Sequence, residues 1–371
     1  MPPPAPACGD RPQPRESRVG SIDALRGVAI LMVILVHVGQ NVPRDSLFAS
    51  WTPFGQYGVQ LFFVLSAYSL CLSFARRPGG NDGYAAFMIK RYWRIAPMYY
   101  VALVFFFAVT WGLERRWPAG RFYTPTADYT SARVLANVLL AHSFVPSANN
   151  SIVPGGWSIA TEFLFYAFFP FFLRLARWRP LLLVAVPAAA LGVLALVLAW
   201  FSPSPGFGSG FAYCSLPNQL PCFAAGIALH LLRDSRLFTR ALLAVGPLAL
   251  FGLIKLHWLP WGWRVTPILC ALAFGALVLG LGRLRLRDRG VLVHIGQCSY
   301  SIYCLHYFFV GLAVRPLARI AAGAGWNHTA IALAAFAFVA AAATLAASFT
   351  YRRIELPFIA RGKRIAGRLG P

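Results

Sequence analysis

Arg26 and His37 bracket a stretch of ten residues, Gly27 to Val36, that carries no charge at all. An ionised side chain inside a bilayer-spanning helix costs roughly 2.5–3.5 kcal/mol on insertion scales, so such residues are functional candidates by default. A separation of about eleven residues turns a helix about 20° past three full turns and rises about 16 Å. The two side chains therefore share one stripe of one helix and point toward opposite membrane faces. An imidazole titrates near neutrality and can serve as general base for a hydroxyl acceptor. The alternative for His37 is a helix-end histidine hydrogen-bonded to a neighbour. Asp23, three residues before Arg26, is placed to pair with it on a helix, either within a site or as a membrane-boundary ion pair.

Two further clusters have chemical content. In Gly155-Gly156-Trp157-Ser158-Ile159-Ala160-Thr161-Glu162-Phe163-Leu164-Phe165-Tyr166, Glu162 is the single acidic residue between Asp128 and Asp234, about one turn into an apolar run. The spacing predicts that it enters the membrane at the level of His37, where a carboxylate would orient the imidazole; otherwise it bridges helices. In Lys90-Arg91-Tyr92-Trp93-Arg94-Ile95-Ala96-Pro97, Arg91 and Arg94 lie three apart at the mouth of a span. Paired guanidinium forks bind phosphate, but a basic stop at a span end has the same composition. Ser299-Tyr300-Ser301-Ile302-Tyr303-Cys304-Leu305-His306 puts His306 two turns into another span, as a packed histidine or a substrate contact. Arg353 and Glu355 read as an edge ion pair, and Gly58, Gln60 and Ser66 as helix-packing residues.

The elements that must hold these residues are membrane helices. Of the 371 residues 58% are hydrophobic and only 12% charged, about half the charge of a soluble globular domain. Long apolar runs with few charges predict an all-α polytopic membrane protein with about ten transmembrane helices. The runs fall near 22–38, 56–75, 95–113, 157–173, 181–201, 212–232, 241–258, 265–282, 294–314 and 329–350. The stretch 134–145 is too short to span and reads as one re-entrant or interfacial segment. Residues 1–20 read as a disordered cytoplasmic tail, 21–359 as the membrane domain and 360–371 as a basic cytoplasmic tail. The first apolar run is not followed by a signal-peptide cleavage site.

The net charge of +23 would suggest nucleic acid in a soluble chain. Here the arginines sit in short clusters between spans, as the positive-inside rule places them. Ten spans with both termini in the cytoplasm put these clusters inside, with Arg26 at the inner end and His37 at the outer end. The loop 114–133, with Arg115, Arg116, Arg121 and Arg133, fits that orientation least well. The seven cysteines show no metal-ligand spacing. Cys214 and Cys222 are read as free thiols, with a disulfide as the alternative.

These segments, in this order, resemble the acyltransferase-3 family of integral-membrane O-acyltransferases. The carriers are Asp23-Ala24-Leu25-Arg26-Gly27 with His37, Phe62-Phe63-Val64-Leu65-Ser66, Arg91-Tyr92-Trp93-Arg94, Trp157-Ser158 through Glu162, Ser299 through His306, and Glu355-Leu356-Pro357-Phe358. Ala67-Tyr68 stands where the family usually has glycine then an aromatic. The resemblance covers about 21 to 359 and implies a stand-alone member without the esterase-like domain. It implies transfer of an acyl group, most often acetyl from acetyl-CoA, to a hydroxyl of a glycan, lipid-linked sugar or small acceptor. The implied setting is the bacterial cytoplasmic membrane. Carried over, Arg26, Arg91 and Arg94 bind the CoA end and His37 and Glu162 carry out transfer, without a metal. Asp23, Ser158, Tyr166 and His306 have supporting roles. The contrasting reading is a proton-coupled transporter using Asp23, His37 and Glu162 as a relay. Against it stands the lack of symmetric, interrupted helix pairs.

Overall fold

The computed structural model describes residues 20–42, 50–75, 83–116, 126–201, 209–257, 259, 262–281, 290–314, 316–317 and 327–369. The expected tail 1–20 lies outside the described residues except for Gly20. Every regular element described is helical, so the chain is an all-α polytopic membrane protein. In chain order the helices are α1 (Gly20–Gly39), α2 (Gly58–Ala75), α3 (Tyr84–Arg116), α4 (Ser131–Val138), α5 (Gly156–Trp178), α6 (Leu182–Phe201) and α7 (Ser209–Cys214). They continue with α8 (Leu216–Leu231), α9 (Arg236–Leu256), α10 (Gly262–Leu281), α11 (Val291–Gln297), α12 (Ser299–Phe309), α13 (His328–Thr350) and α14 (Leu356–Gly367).

Among the described residues seven helices are long and apolar enough to cross a membrane, and Leu182–Leu198 and Ser299–Val314 form two shorter apolar ones. The remaining expected span, 212–232, is broken. Ser215 takes an extended conformation (φ −72°, ψ 149°) between α7 and α8, and a proline occupies the first turn of α8. Proline suits that position because the N–H it lacks would be unsatisfied there anyway. The segment 134–145 holds the second half of the eight-residue α4 and a short 3-10 turn at His142–Phe144. Cys214 and Cys222 are free thiols.

Helix α3 runs 33 residues, about 50 Å, longer than a hydrocarbon core of about 30 Å. Its first turns carry Lys90, Arg91 and Arg94. Within the expected basic tail, residues 360–367 belong to α14, which packs on α3. Trp93 stacks on Phe358 with centroids 5.6 Å apart, and the Arg361 guanidinium lies 5.2 Å from the Trp93 centroid.

Helix α1 is the hub, against α2, α11, α12 and α13. Small residues let its backbone approach its neighbours, as in other membrane bundles. A Cβ on Gly296 would lie 1.7 Å from the Asp23 carbonyl oxygen, and one on Gly27 2.3 Å from that of Leu292. Neither backbone oxygen can yield without moving a helix. Gly296→Ala is therefore expected to destabilise the protein by about 1–3 kcal/mol through overpacking, read as a lower unfolding temperature in detergent. An unchanged unfolding temperature would contradict this packing.

Candidate active site

A cavity of about 480 Å³ opens where α1, α2, α3, α5, α12 and α14 converge. Helix α1 supplies Asp23 and Arg26, α2 supplies Ser66 and Ser69, and α3 supplies Lys90, Arg91 and Arg94. Helix α5 adds Ser158, Glu162 and Tyr166, α12 adds Ser299, Tyr300 and Tyr303, and α14 adds Lys363. Five basic side chains thus face two carboxylates. That excess, held between apolar helices where the dielectric is low, suits an anion.

The basic residues are held in different ways. Arg26 Nη1 lies 3.3 Å from Asp23 Oδ1, and Arg26 Nη2 donates to Ser69 Oγ at 3.1 Å. The Asp23–Arg26 pair is thus both a helix-end ion pair and part of the cavity wall. The Arg91 guanidinium lies over the rings of Phe87 (5.6 Å) and Tyr166 (5.9 Å). Arg94 lines the same cavity as Arg26 and Glu162. It donates no hydrogen bond among the described residues.

Glu162 belongs to this cavity. Its Oε1 accepts from Ser66 Oγ at 2.5 Å and from the Tyr166 hydroxyl at 2.6 Å. No hydrogen bond joins it to His37 among the described residues. Helix α5 begins at Gly156, and six residues on, about 9 Å, the carboxylate stands with Arg26 rather than with His37. Ser66 is therefore a carboxylate partner as well as a packing residue. Glu355 is also turned inward: buried, it accepts from Ser301 N (3.1 Å) and Ser301 Oγ (2.5 Å), while Arg353 is exposed.

The histidines stand beyond the cavity's far wall. Tyr303 lines the cavity, its hydroxyl 2.7 Å from Ser158 Oγ and donating to the Gly155 carbonyl at 3.0 Å. Gly155 has φ 79°, the left-handed region where glycine is at home. The Tyr303 and His306 ring centroids are 5.7 Å apart, and those of His306 and His37 are 5.3 Å apart. Buried His306 places Nδ1 2.8 Å from the Tyr303 carbonyl, while its Nε2 has no hydrogen-bond partner among the described residues. His37 Nδ1 lies 3.2 Å from Gln40 Oε1, and the Tyr307 hydroxyl lies 2.9 Å from its Nδ1 and 3.0 Å from its Nε2. A chain of rings, Tyr303–His306–His37, thus leads from the cavity to the far end of α1.

Seven sequence-predicted site residues line one cavity: Asp23, Arg26, Arg91, Arg94, Ser158, Glu162 and Tyr166. His37 and His306 form a second cluster that touches it through Tyr303. Sequence reasoning passed over Tyr307, Tyr303, Ser69 and Lys363. The tyrosines left only an ambiguous signal: Tyr300, Tyr303 and Tyr307 recur at i, i+3 and i+7 along α12, a spacing that also reads as core packing.

The family profile described as an acyltransferase domain matches residues 19–353, nearly the whole chain. The chain belongs to the acyltransferase-3 family. Among its relatives, acyltransferase MdmB of Streptomyces mycarofaciens is 26% identical over 96% of this chain and 95% of its own length. Exopolysaccharide production protein ExoZ of Rhizobium meliloti is 27% identical over 83% of this chain and 91% of its own length. Peptidoglycan O-acetyltransferase OatA of Listeria monocytogenes is 28% identical over 57% of this chain and 33% of its own length. No solved structure matches. This acyltransferase-3 protein is accordingly a multi-pass membrane acyltransferase. The profile ends before Glu355, which accepts from Ser301, and Lys363, which lines the cavity.

Proposed function

We propose that the chain moves an acyl group, acetyl in the simplest case, from cytoplasmic acyl-CoA to a hydroxyl of a glycan or other acceptor. Transfer takes place toward the extracytoplasmic side of a bacterial cytoplasmic membrane. The observation that carries this reading is the convergence of Arg26, Lys90, Arg91, Arg94 and Lys363 on one cavity within an acyltransferase-3 protein. Coenzyme A has three phosphate groups to engage such cations. The positive-inside pattern supports both termini and the cavity mouth being cytoplasmic. The relatives named for peptidoglycan and exopolysaccharide support a saccharide acceptor.

In this mechanism the phosphates sit among the α3 and α14 cations, and the pantetheine arm runs inward past Arg26 toward Tyr303. Glu162 sets the geometry of the cavity by holding Ser66 and Tyr166. At the far end His37 takes the proton of the acceptor hydroxyl as its oxygen attacks the thioester carbonyl carbon. The C–S bond breaks, the new ester forms, and the imidazolium returns the proton to the departing CoA thiolate. Gln40 and Tyr307 hold the His37 ring for this step, the part assigned from sequence to Glu162.

The test uses the purified full chain in nanodiscs. Calorimetry is expected to give saturable CoA binding that weakens with salt. Acetyl-CoA or a longer acyl-CoA is expected to yield free CoA, detected by mass spectrometry, faster with a hydroxylated acceptor present. Absence of both binding and turnover would overturn the donor assignment.

A further inference from the structure

A second pocket, of about 260 Å³, lies between the 3-10 turn Thr52–Tyr57, α7, the end of α9 and the start of α10. Its walls include Gln56, Tyr57, Tyr213, His257, Trp263 and Thr266, and no Asp, Glu, Lys or Arg among the described residues. The polar groups are organised. The Tyr57 hydroxyl and Gln56 Nε2 lie 2.8 and 3.3 Å from His257 Nδ1. With Gln56 donating to Nδ1, the neutral imidazole carries its proton on Nε2. The Tyr213 hydroxyl accepts from Gln60 Nε2 at 2.8 Å.

Two contacts tie this pocket to the machinery described above. The 3-10 turn that supplies Gln56 and Tyr57 packs on the His37 end of α1: a Cβ on Gly55 would lie 2.3 Å from Met32 O and 2.8 Å from Val36 N. On the other side a file of aromatic rings separates the pocket from the basic cavity. Tyr213 packs on Trp157 with centroids 5.9 Å apart, and Trp157 meets Phe63, which lines the cavity, edge-on at 6.2 Å.

We propose that this pocket is an acceptor subsite for one neutral, polyhydroxylated ring, a pyranose of a glycan or glycoside. The proposal rests on the acyl-transfer reading and adds where and how the acceptor is held. Among the described residues the walls carry no charged side chain, which disfavours an anionic sugar. Tyr57, Tyr213 and Trp263 line the pocket, and such side chains combine apolar rings with polar tips, the chemistry that matches the C–H faces and hydroxyl edges of a pyranose. Imidazole, amide and hydroxyl groups serve as both donors and acceptors, as sugar hydroxyls require. The volume is below the roughly 300–1,000 Å³ of drug-sized ligand pockets, so it takes one ring, and a longer acceptor extends outside.

The test is saturation-transfer NMR and tryptophan fluorescence on the full chain in nanodiscs. The probes are methyl β-D-glucopyranoside, methyl β-D-galactopyranoside, methyl α-L-rhamnopyranoside and the anionic methyl β-D-glucuronoside. At least one neutral glycoside is expected to bind. Its Kd is expected to rise about tenfold in His257→Phe, which keeps the ring contact with Phe54, and again in Gln56→Leu. CoA affinity, a check of the fold and the basic cavity, is expected to stay within about twofold in both. No neutral glycoside binding the wild type, equal binding by both CoA-competent variants, or preference for the glucuronoside would each overturn the subsite. Glycoside binding without CoA binding counts against the donor assignment instead, so the two failures are distinguishable.

Discussion

His37→Ala is expected to lower acyl transfer by about two to four orders of magnitude, the usual contribution of a positioned general base, while CoA affinity stays unchanged. The separation of effects follows from geometry. His37 contacts Gln40, Tyr307 and His306, and none of these three lines the basic cavity. Losing the imidazole removes the proposed proton acceptor and leaves the cations of the cavity in place. His37→Gln tests the point more finely, since an amide keeps a hydrogen bond to Tyr307 but cannot take a proton at neutral pH. Both variants are measured by single-turnover transfer of labelled acetyl from acetyl-CoA and by calorimetric CoA binding. Near-normal transfer by His37→Ala would exclude His37 as base and as acyl carrier. Equal loss of transfer and of CoA affinity would mean that His37 supports the fold.

The helical class and the positions of the spans were legible because hydrophobic length in a bilayer is a strong constraint. What one chain's periodicity does not reveal is the register between helices, and Glu162 shows the consequence. Its depth in its own helix was readable, but not which level of α1 that depth meets. The level is set by contacts between sequence-distant residues, such as Gly155 against the Tyr303 hydroxyl and Gly58 against the Ala29 carbonyl. The arginines were easier to place because a charge near a helix end has few destinations. Lys363 was not, because a basic segment after the last span looks like solvated tail. Only the packing of Gly362 and Phe358 on Trp93 brings it to the cavity. The break at Ser215 was similarly hidden: a run of apolar residues measures hydrophobic length, while the backbone there ends one helix and starts another. Tyr307 was hidden because an aromatic at helical spacing reads as core until its hydroxyl is seen at 2.9 Å from His37.

Arg94→Ala is expected to weaken CoA binding by about 10- to 100-fold, the 1.5–3 kcal/mol typical of a hydrogen bond to a charged group. Arg94 is the sharper choice among the cavity cations. Arg26 is already engaged by Asp23 and Ser69, and Arg91 lies over Phe87 and Tyr166, so their removal also disturbs the walls. Arg94 lines the cavity without donating a hydrogen bond to any described residue, which leaves its planar fork for a ligand. Arg94→Lys keeps the charge but replaces a bidentate fork by a point charge, and is expected to recover only part of the affinity. Raising the ionic strength is expected to narrow the difference between wild type and Arg94→Ala, because a ligand-borne anion is screened until it is bound. At saturating acyl-CoA the maximal rate is expected to fall far less than the affinity, since Arg94 lines the cavity and the proposed reaction centre is the histidine cluster outside its lining. Unchanged CoA affinity in a folded Arg94→Ala protein would remove the phosphate-binding assignment. A collapse of the maximal rate with affinity intact would move Arg94 from holding the donor to acting on the thioester.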